Sequence, residues 1–154
     1  MVKLNLGKDF DDLIKSIEGA IDKVDAAAER CIKENADIMD AELRDKLAAC
    51  DGNFEDGESG AIYDLSRRMP PPKIEKNFGV YTARVGFEKG AYDPSNISDG
   101  YKAVFLNYGT PKRTTDKGQI KAIKFIDKAR KAAKPKIKKR QEEVVNEVVK
   151  GIKK

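Results

Sequence analysis

Between residue 9 and about residue 48, apolar side chains recur with the period of an α-helix. Phe10, Leu13, Ile14, Ile17, Ile21, Val24, Ala28, Cys31 and Ile32 form one stripe, which thins out through Ile38, Met39, Leu43 and Leu47. The opposite face is charged, and Gly19 is the one residue there that would admit a bend. Asp9 suits the N-cap, and Asp11 and Asp12 place negative charge in the first turn, where the helix dipole favours it. A helix over 9–48 would be about 60 Å long, whereas a compact chain of this size is about 40 Å across. Such a helix must bend or overhang its own body, and an overhanging apolar stripe needs cover from another copy or a partner.

Elsewhere the pattern changes. Val2, Leu4 and Leu6 alternate with polar residues and predict a short N-terminal strand that Gly7 ends. Asp51–Gly60 predicts a loop. It lacks the Gly at the sixth position and the Glu at the twelfth that a calcium loop needs, because Asp56 and Ile62 stand there. Ala61–Arg68 predicts a short helix or strand, and Pro70, Pro71 and Pro72 an extended segment. Phe78–Phe87 and Tyr101–Tyr108 predict two strands of an antiparallel hairpin, joined by a long loop over Glu88–Gly100. Gly109, Thr110 and Pro111 end the second strand. From Gln119 helical periodicity returns (Ile120, Ile123, Phe125, Ile126, Ala129, Ala133), with Pro135 interrupting it or opening a further helix that runs to about residue 152. The fold class expected is α+β in a single domain over 1–154: a short strand, a long helix (about 9–48), a sheet (about 73–108) and a C-terminal helical segment (about 119–152).

Charge changes this picture more than composition does. The 154 residues are 40% hydrophobic and 37% charged, as in a folded protein with a highly charged surface. The net charge of +5 hides a strong polarity. Residues 1–68 carry 10 basic and 17 acidic side chains, residues 69–108 carry 5 and 4, and residues 109–154 carry 16 and 5. The segments are therefore −7, +1 and +11, which suggests head-to-tail contact between copies or an acidic partner for the basic end. Lys128, Lys131 and Lys138 are taken as the basic interaction face.

Catalytic chemistry finds no support. Histidine is absent, which removes the commonest general base and metal ligand. Two cysteines without histidine cannot build an ordinary zinc site, and no phosphate loop or nucleophile elbow occurs. No enzyme activity, metal or cofactor is expected. Cys31, on the stripe, is expected as a buried free thiol, and Cys50 as a free thiol too. The first residues do not have the pattern of a signal peptide, and no apolar run approaches a membrane span. The expected location is a cytoplasmic one or a particle assembled there. A run of lysines and arginines from Lys121 to Arg140 could bind phosphate backbones. A small, basic, non-specific nucleic-acid-binding protein is therefore the rival reading, including contact with packaged DNA.

The segment Ala103–Thr110 (AVFLNYGT), followed by basic residues, resembles the neck and minor tail proteins of tailed bacteriophages, which carry an aromatic-Gly-Thr turn after their last strand. The ordered set is Ser59-Gly60-Ala61-Ile62, Arg84-Val85-Gly86-Phe87, Tyr108-Gly109-Thr110 and Phe125-Ile126. Asn107 stands where the family often has an acid, and Lys124 where it often has a proline. The resemblance implies a virion protein. It would be a subunit of a homo-oligomeric ring at the head–tail connector that completes the neck or tail and contacts neighbouring connector or tail proteins. On that reading Lys89, Tyr92 and Ile97 of the long loop, with Tyr108, Gly109 and Thr110 of the turn, are the assembly residues. They would contact a neighbour or line the channel.

Overall fold

The computed structural model describes residues 6–49, 65–88, 98–110 and 121–152, with the side chains of the first helix described at Lys15 and from Ile17 onward. The described elements are a helix α1 (Leu6–Ala48), strands β1 (Lys73–Asn77) and β2 (Val80–Arg84), a helix α2 (Asp99–Tyr108) and a helix α3 (Phe125–Ile152). The fold is α+β and mostly helical. The strand expected over Val2–Leu6 lies outside the described residues except for Leu6, which is helical. Asp9 is therefore inside α1 rather than at its N-cap. The helix continues through Gly19 without interruption.

α1 and α3 pack side by side and run antiparallel. Arg30 pairs with Glu147, Glu34 with Arg140 (2.6 Å) and Glu42 with Lys136. The core gathers around the C-terminal half of α1. Leu43 and Leu47 meet Leu65, Met69, Ala103, Leu106, Phe125 and Ala129, with Met39, Val85, Phe87, Ile123 and Ile126 against them. Leu47 and Leu65 are fully buried, and each such side chain contributes on the order of 2 kcal/mol.

Residues 65–68 form a helical turn, and its end is held by Arg44. The Arg44 guanidinium donates to the carbonyls of Ser66 (2.7 Å) and Met69 (2.7 Å) while Asp40 accepts its Nε–H at 2.7 Å. Carbonyls left open where a helix ends are thereby satisfied by a side chain from α1.

The hairpin differs from the sequence expectation. β1 and β2 pair antiparallel from Lys73↔Arg84 to Asn77↔Val80, and the turn is Phe78-Gly79. Both turn residues have positive φ, 50° and 79°, as a type I′ turn requires. The segment expected as one strand, Phe78–Phe87, thus contains the turn and the second strand. Its partner is Lys73–Asn77 rather than Tyr101–Tyr108.

Tyr101–Tyr108 is helical. Ser98 caps α2 by accepting the Tyr101 N–H, and Asp99 lies in its first turn. Ala103, Leu106 and Asn107 turn inward at helical spacing. Gly109 closes α2 with φ 76°, and its N–H donates to Phe105 O at 2.7 Å. The Tyr-Gly-Thr turn therefore follows a helix, not the last strand, and Glu88–Gly100 is not a hairpin loop. α3 also departs from expectation, because it passes through Pro135 unbroken. Proline there removes the N–H that would have bonded to Lys131 O, and its ring lies on the exposed side.

Candidate assembly surfaces

Among the described side chains, the N-terminal part of the α1 stripe has no cover. Ile17, Ile21 and Val24 are 51%, 61% and 48% exposed, although their spacing predicts burial. The reason is length. α3 pairs with α1 at Arg30–Glu147 and ends at Ile152, and the hairpin reaches Asp25. The stretch from Leu6 to Val24 projects on the order of 28 Å further at 1.5 Å per residue. Below that point the same stripe is covered: Cys31 and Ile32 are half-buried, and Ala36, Leu43 and Leu47 are buried. Cys31 is a free thiol. It is less buried than expected, and Asn35 donates to its sulfur at 3.6 Å. Phe10, Leu13 and Ile14 belong to the stretch whose side chains are not described, and Cys50 lies outside the described residues.

The stripe has a charged edge. Glu18, Asp22, Asp25 and Glu29 each follow a stripe position (Ile17, Ile21, Val24, Ala28) and share its spacing, so they form a parallel acidic row. Asp25 is engaged by the hairpin, accepting from Lys76 Nζ at 2.8 and 2.7 Å and from Tyr81 Oη at 3.0 Å. The Lys76 hydrogen bond, ahead of that from Tyr81, holds the Asp25 carboxyl below the ordinary carboxylate value, and Lys76 is correspondingly raised. Glu18, Asp22 and Glu29 are exposed and pair with no cation among the described residues.

α3 is two-faced. Phe125, Ala129, Ala133 and Val144 point inward and are buried. Lys131, Lys134, Lys138, Val145 and Val149, at helical spacing on the outer side, are exposed. Val145 and Val149 are 59% and 44% exposed. Among the described residues, Lys138 alone of these lysines has a carboxylate in reach, Glu142 of the same helix at 3.9 Å. An open depression at the start of α3 is lined by Lys124, Asp127, Lys128, Arg130 and Lys131.

Among the expected site residues, Lys128, Lys131 and Lys138 lie on exposed parts of this one helix. Lys89, Tyr92 and Ile97 lie outside the described residues. Tyr108 is 72% exposed at the end of α2, while Gly109 and Thr110 are half-buried.

Charge polarity acts first inside the chain. The acidic helix α1 and the basic helix α3 face each other through Glu34–Arg140 and Glu42–Lys136, so part of the complementarity expected between copies is used within one subunit. Arg140 is engaged by Glu34 and Glu143, and the Glu34 carboxyl is lowered by Arg140.

The hairpin tip escaped the sequence reading. Phe78 is fully exposed and sits at positive φ, where glycine, asparagine or aspartate would be at ease. The Asn-Phe-Gly-Val run carried the turn signal in Gly79, but Phe78 disguised it as strand.

Among the described residues no cluster of histidine, cysteine and carboxylate side chains could hold a metal, and no helix is long and apolar enough to cross a membrane. No protein-family model matches the chain, and searches of curated proteins and of solved structures return no match.

Proposed function

We propose that this chain is a structural subunit that works by protein–protein assembly, and that it builds a ring at the head–tail junction of a tailed bacteriophage. One observation carries the assembly reading: an apolar stripe on α1 that is covered along its lower half continues uncovered over Ile17, Ile21 and Val24. A contiguous apolar face rimmed by charge on a monomer marks an interaction surface. Phe78 supports the reading, since an aromatic side chain held out on a strained turn is a typical interface anchor. The phage assignment rests on the ordered motifs of the sequence, in which Phe125 opens the closing helix as a buried anchor. Electron microscopy of the concentrated protein tests the ring, and adding it to particle extracts that lack it tests the junction. Rings and restored head–tail joining are expected. Featureless monomers that restore nothing would refute the proposal.

The basic start of α3 favours one second reading. Lys124, Lys128, Arg130 and Lys131 crowd one depression with a single carboxylate, Asp127, among them. Such a patch attracts nucleic-acid backbone without reading sequence. Binding of duplex DNA that weakens steeply with salt, in a protein that never self-associates, would favour it.

A further inference from the structure

We infer that the uncovered part of α1 docks on the outer face of α3 of a second copy, so that each subunit gives one contact and receives another. The inference rests on the assembly reading and names the two surfaces that meet. Two patches of unlike composition match each other. The first is the row Ile17, Ile21 and Val24, edged by Glu18 and Asp22. The second is Val145 and Val149, with Lys131, Lys134 and Lys138 extending the same face. Each patch has exposed branched apolar side chains; the first is edged by acids, and the second carries three lysines with one carboxylate, Glu142, beside Lys138.

Charge complementarity selects the occupant. Packing the α1 stripes of two copies against each other would set two acidic rows side by side, which costs free energy. Docking on α3 puts the acidic edge of α1 along a face that carries Lys131 and Lys134, which pair with no carboxylate among the described residues. The inward face of α3 is already taken by α1 of the same chain, through Arg140 and Lys136. A second α1 can therefore reach only the outer face, and α3 would lie between its own α1 and the neighbour's. Contacts between unlike patches repeat head to tail and close into a ring when the rotation allows.

The charges can be exchanged without touching the core, since all the residues involved are exposed. One double variant, Glu18→Lys with Asp22→Lys, makes both patches basic. Another, Lys134→Glu with Lys138→Glu, makes both acidic. Sedimentation velocity at low salt reads association, and circular dichroism reads folding. Each variant alone should stay folded and associate at least tenfold more weakly than the unaltered protein. An equimolar mixture of the two should associate again, because each then meets its opposite. If the α3 variant associated as the unaltered protein does, the inference would be wrong while the assembly reading stood. Tighter association of the α1 variant would point to α1–α1 pairing and overturn it as well. An unaltered protein that stayed monomeric into the millimolar range would end both the inference and the assembly reading.

Discussion

Asn107, buried at the end of α2, caps a helix that begins well after it in the chain. Its Oδ1 accepts the N–H of Ile126 at 3.0 Å, 19 residues away. The backbone completes the joint: Ile123 N–H donates to Leu106 O at 2.9 Å and Lys124 N–H to Asn107 O at 3.1 Å. Carbonyls left open at the end of α2 are thus met by the amides just before α3, and an amide left open in the first turn of α3 is met by the Asn107 side chain. This joint sets the direction in which α3 leaves, and so which of its faces meets α1 and which stays outside.

Replacing Asn107 with leucine keeps the branched shape and removes the acceptor, leaving the Ile126 N–H unpaired in a partly buried place. The expected loss is about 2 kcal/mol, the sum of a lost cap and an unmet, partly buried donor. Urea unfolding measures it. A loss below about 0.5 kcal/mol would mean that the backbone bonds alone hold the joint.

Arg44 fastens the helical turn at 65–68 to α1 through two carbonyls and Asp40. Arg44→Met retains the stem and removes these bonds. Hydrogen bonds to a charged donor support an expected cost of about 2 kcal/mol. Hydrogen exchange should rise first at Met69, whose N–H bonds to Leu65 O. Uniformly raised exchange, with no preference for this segment, would show that Arg44 does not act locally.

Docking of the hairpin on α1 should weaken in acid. The Asp25 carboxyl is lowered from its ordinary value of 3.8, chiefly by its hydrogen bond with Lys76. A group with a lowered folded-state value stabilises fully above the ordinary value and loses that effect as pH falls through the folded one. The window therefore opens below about pH 4. The ring resonances of Tyr81 should shift across it, and Asp25→Asn should remove that step. The same pH-dependent movement of the ring resonances in Asp25→Asn would disprove the linkage.

The helical frame was legible because α1 and α3 carry long runs of one period. The hairpin was not. Lys73–Asn77 (KIEKN) has a charged, largely exposed face with a single apolar residue, so it shows no alternation to detect. Tyr101–Tyr108 misled through its Tyr, Val and Phe content, which favours strands, while the decisive signals were the Ser98 cap and the Gly109 stop. The exposure of Ile17, Ile21 and Val24 could not be foreseen from periodicity, which says where a face points and not whether anything lies over it. That depends on where α3 begins and how far it runs, and the Asn107 joint helps fix the first.

The most direct test of assembly through α1 is the sedimentation velocity of Ile21→Asp beside the unaltered protein over a wide concentration range. Ile21 is 61% exposed and lies outside the core, so the variant should keep the unaltered melting temperature and helix content. The unaltered chain should grow into closed oligomers with concentration, and Ile21→Asp should remain a folded monomer. A variant that unfolded would show that this face packs within the subunit, and one that assembled as well as the unaltered chain would show that assembly does not use it.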